Sequence, residues 1–355
     1  MPLTRAYLKN FRLFSELDLS FDKNTIILGN NGTGKTSLIE AINLLLTRRS
    51  LRTKDLKECI KYNKKGFLLG LECRGPEESL KIKSEKLLDK RVTFKISSKN
   101  KLYNKTSLPI SQVILPNDFR MIEGQPDLRR MFFSKNMFHV EPLAKKVNDE
   151  YRKILIQRNF SIKRKSTDQE LSVWTDKLLQ QRALLNKVQL EFFNKIDNLL
   201  SDLYKKHQNK KGLSFLEGIK VDYYQGWTRG ESLKRSLEQS LEKDRALGYT
   251  TEGPHRFDLK FSVNNKPVKS TLSRGQQKLL ILLVIFRLNG LLSSANPCGV
   301  VYLIDDLSSE LDSVNLNIAL KEIAELNSQV IVSSIEEKGE LKNKDFLSQF
   351  KQINL

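Results

Sequence analysis

The sequence predicts an α/β protein in which a parallel-sheet core and an antiparallel β-rich lobe are interrupted by an all-helical insertion. Three observations carry that reading. Toward the C-terminus, largely apolar strand-like runs (Val300 to Ile304, Gln329 to Val332) alternate with helix-like segments, the pattern of a parallel sheet covered on both faces. From Phe67 to Tyr103 apolar and polar residues alternate (LLGLEC, SLKIKSE, VTFKIS), as in antiparallel strands with one wet face. Residues 143–211 contain neither Gly nor Pro, so nothing there interrupts a helix.

Leu3 to Phe11 and Leu17 to Phe21 carry alternating apolar positions, and Thr25 to Leu28 is a short strand-like run ending at Gly29. Within 35–46, Leu38, Ile39, Ala41, Ile42, Leu45 and Leu46 fall on one face at helical spacing. In the insertion, Leu171, Leu178, Leu185, Phe192 and Leu199 recur every seven residues. Their partner positions are mixed: Trp174 and Val188 are apolar, whereas Gln181, Lys195 and Asp202 are not. A free coiled coil needs both positions filled, so the spacing predicts a helix of about 50 Å packed on a neighbour along one seam. Breakers return after Gly212; Asp258 to Val263 then reads as a strand and 274–292 as a Leu/Ile-rich helix. The expected domains are 1–118, a first core segment; 119–249, a helical arm; and 250–355, the second core segment.

The composition is that of an ordinary globular chain, 39% hydrophobic and 29% charged. The longest uninterrupted apolar run, Leu279 to Phe286, is far too short to span a bilayer, and MPLTRAYLKNFRLF lacks the apolar stretch of a secretory signal. The expectation is a cytoplasmic protein with no membrane association. Cys59, Cys73 and Cys298 are scattered and histidines number only three, which argues against a disulfide framework or a structural metal. A formal charge of +20 favours a polyanionic partner, although lysine-rich composition throughout the chain is an alternative source.

Gly29-Asn30-Asn31-Gly32-Thr33-Gly34-Lys35-Thr36, followed by Ser37, matches G-x-x-x-x-G-K-[ST] between a strand and an amphipathic helix. Glycines let backbone N–H groups close around phosphates, and the helix N-terminus adds its dipole. Lys35 is expected to place its charge at the β/γ-phosphates of ATP, and the Thr36 hydroxyl to ligate Mg²⁺. Asp305 and Asp306 end the apolar strand Val300 to Ile304; such a pair is often a helix cap. Beside a phosphate loop, Asp305 becomes the second Mg²⁺ ligand and Asp306 the base that deprotonates the attacking water. Leu272-Ser273-Arg274-Gly275-Gln276 reads either as a helix cap with a capping-box Gln or as a second phosphate-contacting turn.

In the order GNNGTGKT, LSRGQ and LIDDLSSELD, these motifs resemble those of the ABC-type P-loop ATPase clan that includes the SMC proteins. The resemblance implies an ATPase head in which Ser273 of one protomer completes the ATP site of the other, with Asp312 in the turn that follows the acidic pair. The SELD form, together with LTRAYLKNFR, LPNDFRMIEGQPDLRRMFF and DRALGYTTEGPHRFDLKF, is similar to the RecF family over nearly the whole chain. Asn117 and Ser134 stand where that family has acids. Membership implies an ATP-dependent homodimer that binds single- and double-stranded DNA at their junctions and, with RecO and RecR, helps load RecA at gaps. It also implies slow ATP turnover that resets a clamp. A transporter subunit is disfavoured: Lys35 and Asp305 stand 270 residues apart, and Ser333 and Ser334 occupy the place of a transporter's switch histidine.

Weaker candidates remain. Gln112 stands roughly where clan members sense the γ-phosphate, or is an ordinary glutamine. Arg12, after the first strand, is a candidate contact to adenine or phosphate. Basic stretches occur at 81–105, 152–165 and 205–211; in the second, Arg158, Lys163, Arg164 and Lys165 are the expected DNA contacts, against the alternative of a solvated face.

Overall fold

The computed structural model describes residues 1–75, 78–98, 108–122, 124–207, 212–309, 311–334 and 349–355. Two compact units emerge, Met1–Phe119 with Arg274–Leu355, and Arg120–Ser273. Glu310 and the ends of two basic stretches (99–105 and 208–211) lie outside the described residues.

The first unit opens with β1 (Leu3–Phe11), β2 (Phe14–Ser20), β3 (Asn24–Leu28), α1 (Lys35–Thr47), β4 (Gly66–Arg74), β5 (Ser79–Leu87), β6 (Thr93–Ser98) and β7 (Ile110–Ile114). Five of these strands form an antiparallel sheet in the order β2-β1-β4-β5-β6. The expected alternation is realised in β5, where Leu80 and Ile82 are buried between exposed Lys81 and Lys83.

The chain then builds the second unit: α2 (Pro126–Val140), α3 (Ala144–Lys163), α4 (Asp168–His207), β8 (Ile219–Tyr224), α5 (Leu233–Gln239), α6 (Leu241–Leu247), β9 (Asp258–Val263), β10 (Lys266–Pro267) and α7 (Val268–Thr271). It is not all helical, and it runs on to Ser273 rather than ending at 249. The reason is β8. IKVDYY is only six residues long, and it recruits Asp258 to Val263, which pairs with it antiparallel instead of joining the core sheet. Helix α4 is the long arm the heptads predicted, packed on α3. Its buried seam passes from Leu171, Leu178 and Leu185 through Phe192 to Ile196, Leu200 and Leu203, leaving Leu199 half-buried. This is the drift of a straight 3.6-residue helix against a 3.5-residue repeat. Two of the three polar partner positions face earlier segments: Gln181 donates to Glu150 Oε2 of α3 (3.0 Å) and Lys195 to Glu141 Oε1, just after α2 (2.6 Å), whereas Asp202 is exposed.

Family-like residues hold this unit together. Arg129 forms a two-pronged ion pair with Asp258 at 2.7 and 3.0 Å, and Arg130 donates to Phe257 O. His255 lies between Tyr151 Oη and Thr250 O, each at 3.1 Å. Burial pushes its pKa down to about 4, so the ring is neutral. The carbonyl can only accept, so Nε2 carries the proton and Nδ1 accepts from the tyrosine.

Returning to the first unit, α8 (Arg274–Arg287), α9 (Asn289–Ala295), β11 (Val300–Ile304), α10 (Ser313–Glu325), β12 (Gln329–Ser334) and β13 (Lys351–Asn354) complete a parallel sheet, β13-β3-β12-β11-β7. Alternation along β11 shows both faces covered. Val301 and Leu303 join a core with Leu38, Ile42 and Leu45 of α1 and Leu69 and Ile82 of the antiparallel sheet. Tyr302 points the other way, meeting Phe286 of α8 edge-on at 5.7 Å. Helix α1 is therefore buried nearly all round, not on one face. Arg274–Ala295 is long and apolar enough to cross a membrane by length and composition, but 67% of that window is buried within the protein, as in a core helix.

Candidate functional site

The carboxyl ends of β3, β12 and β11 lie side by side, and the loops leaving them meet. After β3, Gly34 caps α1 with φ +106°, and a Cβ there would lie 2.5 Å from Phe14 Cζ, so only glycine fits. Thr33 Oγ1 donates to Asn30 O at 3.1 Å and closes the turn. Asn30, Asn31 and Gly32 form its exposed rim, while Lys35 and Ser37 are buried. Lys35 Nζ reaches across to the carbonyl oxygens of Gly29 (2.6 Å) and Asn30 (2.9 Å). The ammonium group is thus held by two backbone carbonyl acceptors beside a helix N-terminus, whose free N–H groups and dipole favour an anion.

Two residues distant in sequence join here. Thr36 Oγ1 donates to Asp305 Oδ2 at 2.6 Å across 269 positions. Ser333, at the end of β12, ties the acids together: its Oγ donates to Asp305 Oδ1 (2.7 Å) and accepts from Asp306 N (2.9 Å). Asp306 has φ +53°, a left-handed conformation that costs a non-glycine residue of order 1 kcal/mol and marks functional turns. Its Oδ1 is buried without a hydrogen-bond partner. Burial pushes its carboxyl above the ordinary value, Lys278 opposes that, and the charge of Asp305 adds to it.

Lys278 is a residue of this cluster that motif reading missed, and Ser333 was read there only as standing in the place of a transporter's switch histidine. Lys278 is 2% exposed, donates to the carbonyl oxygens of Asp306 (3.3 Å) and Ser309, and stands 4.5 Å from the Phe119 ring centroid. It thereby fastens α8, the helix that follows Ser273, to the turn after the acids. A lone lysine in the apolar run KLLILLVIF was the available signal.

The other candidates have varied surroundings. Gln112 is buried within β7, level with Tyr302 and three residues short of Asp305, hence ~10 Å below the sheet edge at ~3.3 Å per residue. Arg12 clamps Glu40 of α1 at 2.8 and 2.9 Å and donates to Glu58 O, so its guanidinium braces the helix rather than facing the loop. Burial pushes the Glu40 carboxyl up, but the bonds from Arg12 and Ser50 and the charge of Arg12 outweigh it and hold it below the ordinary value. Asp312 is exposed and caps α10, accepting from Asn315 N and Nδ2 at 2.8 and 3.0 Å. Ser273 immediately precedes α8.

Of the four expected DNA contacts, Arg158 is corrected. It is 1% exposed and donates to Asp244 Oδ2 (3.0 Å), Thr250 Oγ1 (2.5 Å) and Thr175 Oγ1 (3.2 Å) inside the second unit. Arg164 is exposed but bonded to Glu170 and Ser166, whereas Lys163 and Lys165 are exposed at the α3–α4 turn.

The family model described as RecF/RecN/SMC N terminal domain matches residues 2–353. The chain is 30% identical over 341 residues to the DNA replication and repair protein RecF of Aliivibrio fischeri, covering 94% of this chain and 93% of that one. It is 31% identical over 341 residues to the RecF of Psychromonas ingrahamii, covering 94% and 93%. Among solved structures, the recombination mediator protein RecF with ATP in the RecFOR pathway superimposes with a TM-score of 0.76 at 24% identity, covering 95% of this chain and 92% of that one. An Smc head bound to the C-winged helix domain of ScpA gives 0.55 at 14% identity, covering 99% and 93%. The fold is thus that of an ABC-type ATPase head, with parallel and antiparallel sheets and helical segments.

Proposed function

Since this chain belongs to the RecF branch of the RecF/RecN/SMC family, we propose that it is an ATP-dependent DNA-binding switch of recombinational gap repair and replication-fork maintenance. One observation carries the ATP reading: the Thr36–Asp305 hydrogen bond, which unites the phosphate loop with the acidic strand end. ATP would lie with its phosphates against the N–H groups of Gly29–Thr36 and the Lys35 ammonium. Mg²⁺ would be held by Thr36 and Asp305, both hard oxygen donors, and would neutralise phosphate charge. Among the described residues no cluster of three or more His, Cys, Asp or Glu side chains could hold a metal by themselves, so phosphate and water would complete its shell. The buried, unpartnered Asp306 Oδ1 suits a group that orients and deprotonates water. Hydrolysis would be slow and would reset the clamp.

Ser273 would contact the γ-phosphate on a second copy, so two ATP molecules would be enclosed at one two-fold interface. Dimerisation is then linked to nucleotide. Ser273→Arg is expected to leave ATP binding by the monomer intact and to abolish the Mg-ATP-dependent dimer in sedimentation. A Ser273→Arg protein that dimerises like the wild type would overturn the sandwich. DNA partners would be single strands, duplexes and their junctions, with Lys163 and Lys165 among the phosphate contacts; RecO, RecR and RecA are the protein partners the family suggests.

Ser333 positions Asp306 in this scheme. Ser333→Ala removes an acceptor and a donor at once, each worth about 1 kcal/mol. The expected result is a fall in ATPase kcat of roughly tenfold with KM nearly unchanged, partly restored by Ser333→Thr. A raised KM with unchanged kcat would assign Ser333 to nucleotide binding instead.

A further inference from the structure

Away from the nucleotide site, the outward side of α3 has an unusual composition. The helix carries six Lys/Arg and two Asp/Glu; of those acids, Glu150 accepts a hydrogen bond from Gln181 of α4, and Asp149 is exposed one turn before Arg152 and Lys153. Helix α4 carries six of each. The positive excess of the α3–α4 pair therefore resides on α3. Its inner side is closed by Tyr151, Arg158 and Ile162, leaving Arg152, Lys153 and Lys163 exposed. Among these cations stand two large apolar side chains one turn apart, Ile156 at 60% and Phe160 at 57% exposure. The α3–α4 turn adds exposed Lys165, while Arg164, ion-paired with Glu170, holds its guanidinium over one face of the Phe160 ring, 5.4 Å from the centroid.

We propose that this face of α3 binds single-stranded nucleic acid, a base stacking on Phe160 beside Ile156 and the phosphates meeting Arg152, Lys153, Lys163 and Lys165. The proposal rests on the DNA-binding reading above and specifies the ligand and its site. Cations alone would suit any polyanion. An exposed phenyl ring at their centre distinguishes the alternatives, because only an unpaired base offers a free π-face, while a duplex presents its sugar-phosphate surface. Ten residues separate Lys153 from Lys163, ~15 Å along a helix, so the ring lies inside the basic track rather than beside it.

The test uses the full chain with Mg-ATP and fluorescence anisotropy on labelled oligothymidylate and, separately, a blunt duplex. Phe160→Ala is expected to weaken oligothymidylate binding about tenfold, the effect of losing one stacked base, and to leave duplex binding unchanged. Phe160→Trp should restore it. Arg152→Gln with Lys153→Gln should flatten the salt dependence for the single strand. Phe160 is exposed, so folding is not at stake. Wild-type affinity for oligothymidylate in Phe160→Ala, or equal losses on single strand and duplex, would overturn the site while the DNA-binding reading stands. A wild-type protein that binds neither probe would overturn both.

Discussion

A Lys35→Met protein is expected to bind ATP about a hundredfold more weakly than the wild type while remaining folded. Methionine keeps the length and apolar stem of the lysine and removes only the charge. Hydrogen bonds to charged groups contribute about 1.5–3 kcal/mol each, and 1.4 kcal/mol is a factor of ten. The ammonium group stands on the carbonyl oxygens of Gly29 and Asn30, at the mouth of the loop, whereas the packing of α1 is carried by Leu38 through Leu46. Circular dichroism should therefore be unchanged, and calorimetry should show the loss. Unaltered affinity would remove Gly29–Thr36 from the nucleotide site.

The second large effect concerns stability. Arg158→Met would leave the Asp244 carboxylate, fully buried, without its ion-pair partner and held only by the N–H and hydroxyl of Thr251, both on Oδ1. Removing one partner of a buried pair costs about 3–5 kcal/mol. Both tryptophans of the chain, Trp174 and Trp227, belong to the second unit, so intrinsic fluorescence reports that unit alone. At an m-value of about 2 kcal/mol/M, the urea midpoint should fall by about 2 M. Unchanged stability with weakened DNA binding would return Arg158 to the phosphate-contact role its sequence neighbourhood suggested.

That reversal shows where sequence reading runs out. The Gly29–Thr36 turn between β3 and α1 was legible because it is contiguous, and so was the acidic end of β11, because an apolar strand makes its terminus visible. The partners of each charge were not. Arg158 belongs to the same basic run as Lys163, but Asp244, which draws it inward, stands 86 positions away. Ser333 has no motif of its own; its role exists only because β12 is inserted between β3 and β11. The boundary of the second unit slipped for a similar reason. Asp258 to Val263 looks like any strand, and its allegiance depends on pairing with β8, whose six residues lie among the turn-forming glycines that follow Gly212. Periodicity succeeded in α4, where the signal is local and repeated.

The order of strands in the parallel sheet also bears on how the polypeptide matures on the ribosome. β3, which launches the phosphate loop, has two sheet neighbours, β12 and β13, and β7 has one, β11. None of these neighbours is translated until after the whole second unit has emerged. The first 119 residues can pair their antiparallel strands as they appear, whereas β3 and β7 must wait with their backbone groups uncommitted. High sequence separation between pairing strands slows folding and prolongs exposure of unpaired edges. A nascent or truncated chain lacking β11 and β12 carries an intact GNNGTGKT motif but neither Asp305 nor Ser333 to meet it. On the proposed function, nucleotide would meet its complete set of partners only in a nearly finished molecule.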